Sequence, residues 1–342
     1  MRLAAEAHPL DRRVVITALG LAQILAWGTS FYFPAVFSEP IVAETGWSLG
    51  FVVGGTSIGL LTAGLISPQV GRMYGSEARG PITNLTLFGG FASTICWPLS
   101  AFMIEHVGWR GACFIYAALH LLVMLPLQVS VVRAPRKPEV KHSGPDLSGE
   151  TSRIHNETVI FALLAVVLSI AAGIGSIVVV HLLIFLQARG VDFATAVSLG
   201  TIFGPAQVGA RVVERLFGSH YHPIWTMIAS CTLMAVGLLL LFGAIPALVL
   251  VILLYGAGYG ISWIGRGTLP LALFGPVRFP RLMGKLAFPS LIVQAGAPSA
   301  GALLIEASGS NATIGVLTLL ALINVVLIGV LWWLCRKPSI VG

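Results

Sequence analysis

The sequence predicts an all-α, polytopic membrane bundle of about ten transmembrane helices, and three observations predict it. Apolar residues fill 56% of the 342 positions while charged residues take 10%, and mean hydropathy is strongly positive. Stretches of roughly 20 mainly apolar residues, enough to cross the hydrocarbon core of a bilayer, recur along nearly the whole chain. Lys and Arg are confined to alternate loops between those stretches. The lipid bilayer is therefore the partner that solvates most of this surface, and no sizeable soluble domain is left over.

Hydropathy places the helices in order. The first, Val14 to Phe37, follows a polar and basic start, Met1 to Arg13, that lacks an Ala-x-Ala pattern, so a removable signal peptide is not expected. Leu49 to Val70 ends at a Pro-Gln-Val-Gly-Arg turn, Ile82 to Ile104 carries Pro98, and Gly111 to Val131 leads into the longest polar stretch. That stretch, Arg133 to Glu157, mixes charges with Pro135, Pro138, Gly144, Pro145 and Gly149, the composition of a flexible linker. Six further spans follow: Val159 to Gln187, Ala194 to Phe217, Pro223 to Phe242, Ala247 to Leu269, Leu282 to Ile305 and Thr313 to Leu334. The chain thus divides into a bundle of four helices (1–132), a linker (133–157) and a bundle of six (158–342).

An even number of spans puts both termini on one side. The loop set that includes both tails, Arg72, Arg79, Arg133 to Arg153, Arg211, Arg215 and Arg278 to Lys285 holds 17 of the 20 cations, and the opposite set holds only Arg110 and Arg189. By the positive-inside rule the first set, with both termini, is cytoplasmic, as in a bacterial inner-membrane protein. The remaining cation, Arg266, falls within a span. A net charge of +7 alone would fit nucleic acid, but no folded basic face tracks phosphates here. Cys96, Cys113, Cys231 and Cys335 lack metal-ligand spacing and read as reduced packing residues. No paired carboxylates, Ser-His-Asp set or phosphate-binding Gly motif after a strand occurs, so neither an enzyme nor a cofactor is expected. His220 and His222 alone are a weak metal signal.

The two bundles share punctuation. Pro68-Gln69-Val70-Gly71-Arg72 closes the second helix of one, and Pro205-Ala206-Gln207-Val208-Gly209-Ala210-Arg211 that of the other. Trp97-Pro98 precedes Glu105 as Ala297-Pro298 precedes Glu306. The prolines are 98 − 68 = 30 residues apart in the first half and 298 − 205 = 93 in the second, a shortfall of 63. A helix pair with a tight connection takes about that length, so the first half reads as a six-helix unit without its third and fourth members.

At these motifs the chain resembles the major facilitator superfamily, along nearly its whole length. Gly71-Arg72-Met73-Tyr74-Gly75 matches the start of that family's first-half loop motif, with Gly75 at the acidic position. Gly209-Ala210-Arg211-Val212-Val213-Glu214-Arg215-Leu216-Phe217-Gly218 resembles the second-half counterpart, one residue longer, and the run Arg266 to Gly275 resembles the tenth-helix end of bacterial members. The resemblance implies transport of a small-molecule solute by alternating access, with Gly71, Arg72, Gly209, Arg211, Glu214 and Arg215 acting in cytoplasmic gating. The family's antiporter signature is absent around Gly89 to Pro98, which does not support exchange. A truncated, non-transporting relative is the alternative, and loss of a lining helix leaves room for an oligomer.

Within spans, Arg266 reads either as the counter-charge for an anionic solute or as a side chain snorkelling to the interface. Gln23 and Trp27 share a face at i and i+4, fit to bond and stack a solute or to join helices. Family geometry places Gln23, Trp27, His181 and Arg266 around the cavity. His120, Gln207, Gln294 and Asn324 are further polar residues in spans. Proton coupling needs a group that titrates near neutrality, which makes His181 the candidate, with a structural donor as the plainer reading. The glycines at 54, 55, 59, 64 and 256, 258, 260 are expected to allow close helix packing, and Pro98 and Pro298 to kink their helices.

Overall fold

The computed structural model describes residues 12–59, 90–127 and 157–336, and the regular structure among them is helical. Gly71 and Arg72, Arg79, and the linker as far as residue 156 lie outside the described residues. The first span is two helices, α1 (Arg12–Gly28) and α2 (Phe33–Thr45), where one was expected. The interruption has local causes. Thr29 and Ser30 give their hydroxyls to the carbonyls of Leu25 and Ala26, at 2.7 and 2.5 Å, and Pro34 starts α2 where its missing N–H costs nothing.

Helix α3 (Leu49–Gly59) covers the opening of the second span. Ala92–Leu119 is interrupted at Gly108, giving α4 (92–107) and α5 (109–119), which runs on through a π turn, His120–Met124. Helix α6 (Glu157–Gln187) is followed by α7 (Phe193–Gly200), capped by the Asp192 carboxylate on Thr195 N at 3.1 Å. The hydroxyl of Thr195 and then its amide hold the Asp192 carboxyl below the usual range. Next come α8 (Phe203–Phe217) and α9 (Pro223–Phe242). Leu248–Arg336 is helical except at Gly275 and Gly309, which divide it into α10 (Leu248–Gly275), α11 (276–308) and α12 (310–336). Among the described residues five helical stretches are long and apolar enough to cross a membrane, and the last of them, Leu282–Arg336, contains the turn at Gly309.

Gly108 (φ 70°, ψ 168°), Gly275 (φ 71°, ψ 164°) and Gly309 (φ 81°, ψ 166°) share one backbone conformation, and the first and last each come three residues after a glutamate, Glu105 or Glu306. That region admits essentially only glycine. Gly108→Ala is expected to cost about 1–3 kcal/mol, read as a lowered midpoint in thermal unfolding of the detergent-solubilised protein.

Prolines inside helices leave carbonyls without a donor, and in lipid these must be satisfied elsewhere. Pro298 frees the Gln294 carbonyl, which accepts from Ser176 Oγ on α6 at 2.9 Å. Pro205, near the start of α8, frees the Thr201 carbonyl, which accepts from Thr94 Oγ1 on α4 at 3.0 Å. The sixth predicted span accordingly breaks between α7 and α8, and the break ties the two halves together. Thr94→Val should lower the melting midpoint by an amount equivalent to about 1 kcal/mol. Thr94→Ser, which keeps the hydroxyl, should not.

The main core joins α2, α4 and α5 to α6–α10 and α12 around Phe37, Trp97, Val179, Leu183, Phe185 and Phe203. A second cluster, including Leu164, Met227, Leu269, Leu286 and Leu331, belongs to the six-helix half alone. At the face bearing Arg110 and Arg189 the halves meet through Gln187 Nε2 on Glu39 (3.0 Å) and Gly50 N on Glu306 (3.1 Å), and about two turns deeper through the Ser57–Ser299 hydroxyl pair (2.8 Å). There Arg110, with Trp109 behind it, also holds the exposed Glu44 carboxyl below the usual range. Arg278 grips Glu157 at the opposite face.

The glycines of α10 pack as expected: an added Cβ at Gly258 or Gly260 would meet the backbone of Met234 or Gln207 at 2.8 and 2.5 Å. Gly54, Gly55 and Gly59 differ, since a Cβ on any of them would meet nothing within 4 Å among the described residues. All four cysteines are free thiols, and Cys335 is exposed rather than packed.

Candidate functional site

The helix breaks deliver aromatic side chains to one level of the bundle. Trp27 ends α1 and Phe31 and Tyr32 lie in the interruption, where the Tyr32 carbonyl accepts from Trp97 Nε1 at 3.1 Å. Phe203 opens α8, and Tyr259 and Trp263 lie one turn apart on α10. Their rings form a closed circuit of neighbours. Centroid separations run Trp27–Phe31 5.5 Å, Phe31–Tyr32 5.6 Å, Tyr32–Trp97 5.7 Å, Trp97–Phe203 6.4 Å, Phe203–Tyr259 5.8 Å, Tyr259–Trp263 6.2 Å and Trp263–Trp27 6.1 Å. Edge-to-face and stacked pairs at these distances attract beyond their buried area. Trp97 lies 108 − 97 = 11 residues from the turn at Gly108, and Tyr259 lies 259 − 248 = 11 residues from Leu248. At about 1.5 Å per residue both are about 16 Å from their helix ends, half the thickness of a bilayer core.

Two arginines flank the circuit. Arg211, expected in a cytoplasmic loop cluster, is instead buried in α8, its Nε giving a hydrogen bond to the Gly260 carbonyl at 3.0 Å and Nη2 reaching Gln207 Oε1 at 3.4 Å. Gln207 Nε2 in turn points at the Tyr32 hydroxyl, 3.5 Å away. The apolar face of α8 toward α10 explains the turn inward, because Gly260 leaves room for the Gln207 backbone and presents its carbonyl there. Arg266 is part-buried, its Cζ 4.8 Å from the centre of the Trp263 ring, a cation–π contact. Its Nε is fully buried and has no hydrogen-bond partner among the described residues. Both guanidiniums lie within electrostatic reach of the Tyr259 phenol. Between residues 158 and 305 the sequence holds only two acidic residues, Asp192 and Glu214, both near helix ends. Charge at the level of the circuit is therefore positive.

Of the residues read from sequence, Trp27 and Arg266 meet through Trp263, and Gln23 sits part-buried one turn before Trp27. His181 lies elsewhere, buried between α6 and α11, where Nε2 bonds the Pro298 carbonyl at 3.0 Å and Nδ1 has no partner. Glu214 accepts from Thr226 Oγ1 and Arg215 is exposed. Gly209 has open space beside it. Tyr32, Trp97, Phe203, Tyr259 and Trp263 are additions from the structure. A cleft of about 440 Å³ beside Leu199, residues 246–250 and Leu253 is lined by apolar side chains alone and offers little to a polar solute.

No protein-family model matches the sequence, and no curated protein matches it. Two solved structures align over most of the chain. The crystal structure of a D-xylose-proton symporter superimposes with a TM-score of 0.56 at 14% identity, over 93% of this chain and 81% of the symporter. That of the human organic anion transporter MFSD10 aligns with a TM-score of 0.45 at 12% identity, over 92% and 83%. At such identity the first likeness shows the fold alone, and the second is too loose to add to it. The chain has the fold of a helical membrane bundle like that of the D-xylose-proton symporter.

Proposed function

We propose that the chain moves a small anionic solute across a membrane by alternating access, with the two halves rocking about the aromatic level. The observation that carries this reading is Arg266, a cation at the edge of that level whose buried Nε has no hydrogen-bond partner among the described residues. In a low-dielectric surround such a group attracts an anion, and no carboxylate among the described residues pairs with it. The loop charges favour a bacterial inner membrane, with both termini and the basic loops on the cytoplasmic side. Arg211 braces α8 against α10, and Glu214 and Arg215 complete the motif at that helix end.

Protons are the proposed coupling ion and His181 the proposed carrier. The Pro298 carbonyl only accepts, so Nε2 holds the proton of the neutral ring and Nδ1 is the atom that takes up another. In His181→Ala, uptake is expected to lose its dependence on pH between about 5 and 8. A pH profile identical to that of the unaltered protein would remove the residue from coupling.

Purified protein in liposomes tests the whole reading. Accumulation of an anionic solute above that of empty vesicles is expected. Uniform failure across a broad panel of anionic and neutral solutes would favour a truncated relative that does not transport.

A further inference from the structure

We infer that the solute is a planar aromatic monocarboxylate, an inference that rests on the transport reading and narrows it. Five members of the aromatic circuit are fully buried, whereas Trp27 and Trp263 are only part-buried. The circuit is therefore least enclosed at the edge-to-face contact between these two rings, 6.1 Å apart. Arg266 lies over the ring of one of these two, Trp263, with its Nε edge buried and without a partner among the described residues. A flat ring entering between Trp27 and Trp263 exchanges one set of aromatic contacts for another. Its carboxylate then reaches the guanidinium edge that lacks an acceptor, forming a charge-assisted pair.

The polar groups at this level argue against a polyhydroxylated solute. The Tyr32 hydroxyl, Gln207 and Arg211 are engaged with one another and with the Gly260 carbonyl. A sugar placed among these rings would leave most of its hydroxyls without partners, each at the cost of desolvation. A short aliphatic acid satisfies Arg266 but leaves the rings unused.

Equilibrium binding of radiolabelled benzoate to the purified protein in detergent tests this, with competition by acetate, benzyl alcohol and D-xylose. Saturable benzoate binding is expected, with acetate about fiftyfold weaker because it buries no ring. Benzyl alcohol, which keeps the ring and lacks the charge, should compete at least about tenfold more weakly. Arg266→Gln should weaken benzoate about tenfold or more, and Trp263→Leu about tenfold. Absence of saturable benzoate binding, acetate or benzyl alcohol competing as well as benzoate, or D-xylose competing better would each overturn the assignment. The ligand comparisons use the unaltered protein, so they decide the matter even if a variant fails to fold. If benzoate does not bind while liposomes accumulate another solute, the ligand class falls and transport stands. If benzoate binds with the expected selectivity while liposomes accumulate nothing, transport falls and the ligand class stands.

Discussion

Arg266→Gln is expected to abolish uptake of an anionic solute while leaving the bundle inserted and folded. The substitution removes the charge and shortens the donor set, yet keeps a side chain that can lie along Trp263. Loss of a charge-assisted bond in a desolvated site costs about 1.5–3 kcal/mol, a factor of roughly 10–100 in binding before any effect on the transport cycle. Folding should suffer little, since Arg266 supports no ion pair among the described residues and its Nε bonds nothing. Arg266→Lys keeps the charge and should retain part of the activity. Liposome uptake set beside size-exclusion behaviour of the variants separates the two effects, and full uptake by the Gln variant would take the residue out of the site.

Gly260→Ala is expected to be the most destabilising single-methyl change in α10. Its Cβ would sit 2.5 Å from the Gln207 carbonyl oxygen and 2.6 Å from Gln207 Cα. Backbone atoms cannot step aside as a flexible side chain can, so α8 and α10 must separate. Overpacking of this kind costs about 1–3 kcal/mol. The separation would also stretch the bond from Arg211 Nε to the Gly260 carbonyl, where the positive face of the site is fixed. Gly267 is the internal control. A methyl group there meets nothing within 4 Å, and alanine is the better helix former, so Gly267→Ala should leave the melting midpoint level or raise it. Equal midpoints for the two variants would contradict the close crossing of α8 and α10.

The sequence was most informative where the bilayer dictates the pattern. Span positions from α6 onward follow hydropathy closely, because lipid forces each crossing into a helix of fixed length. The proposed repeat rests on Pro98, Glu105, Pro298 and Glu306, and the left-handed turns at Gly108 and Gly309 that follow those glutamates carried no hydropathy signal. Helix breaks were not legible in the same way. The interruption at Thr29–Tyr32 depends on local hydroxyl bonds and Pro34, and that at Thr201–Ile202 on a carbonyl, freed by Pro205, that finds its partner on α4; hydropathy averages over both. Arg211 was placed wrongly because counting loop charges cannot tell an Arg that faces the interface from one that turns inward to a carbonyl on α10. The aromatic level had a readable trace in Tyr255, Tyr259 and Trp263 at intervals of four, ahead of Arg266. Trp97 and Phe203 had none, since only the fold brings them alongside.

The direct test of rocking halves is a reversible link between Gly50 and Glu306, where the Gly50 amide meets the Glu306 carboxylate across the halves at 3.1 Å, near the membrane face and away from the aromatic level. In a variant with its four native cysteines replaced by alanine, Gly50→Cys with Glu306→Cys should be bridged by a short bis-methanethiosulfonate, stop uptake in liposomes, and recover it on reduction. A bridge that forms and leaves uptake unchanged, or thiols that never meet, would contradict alternating access about the aromatic level.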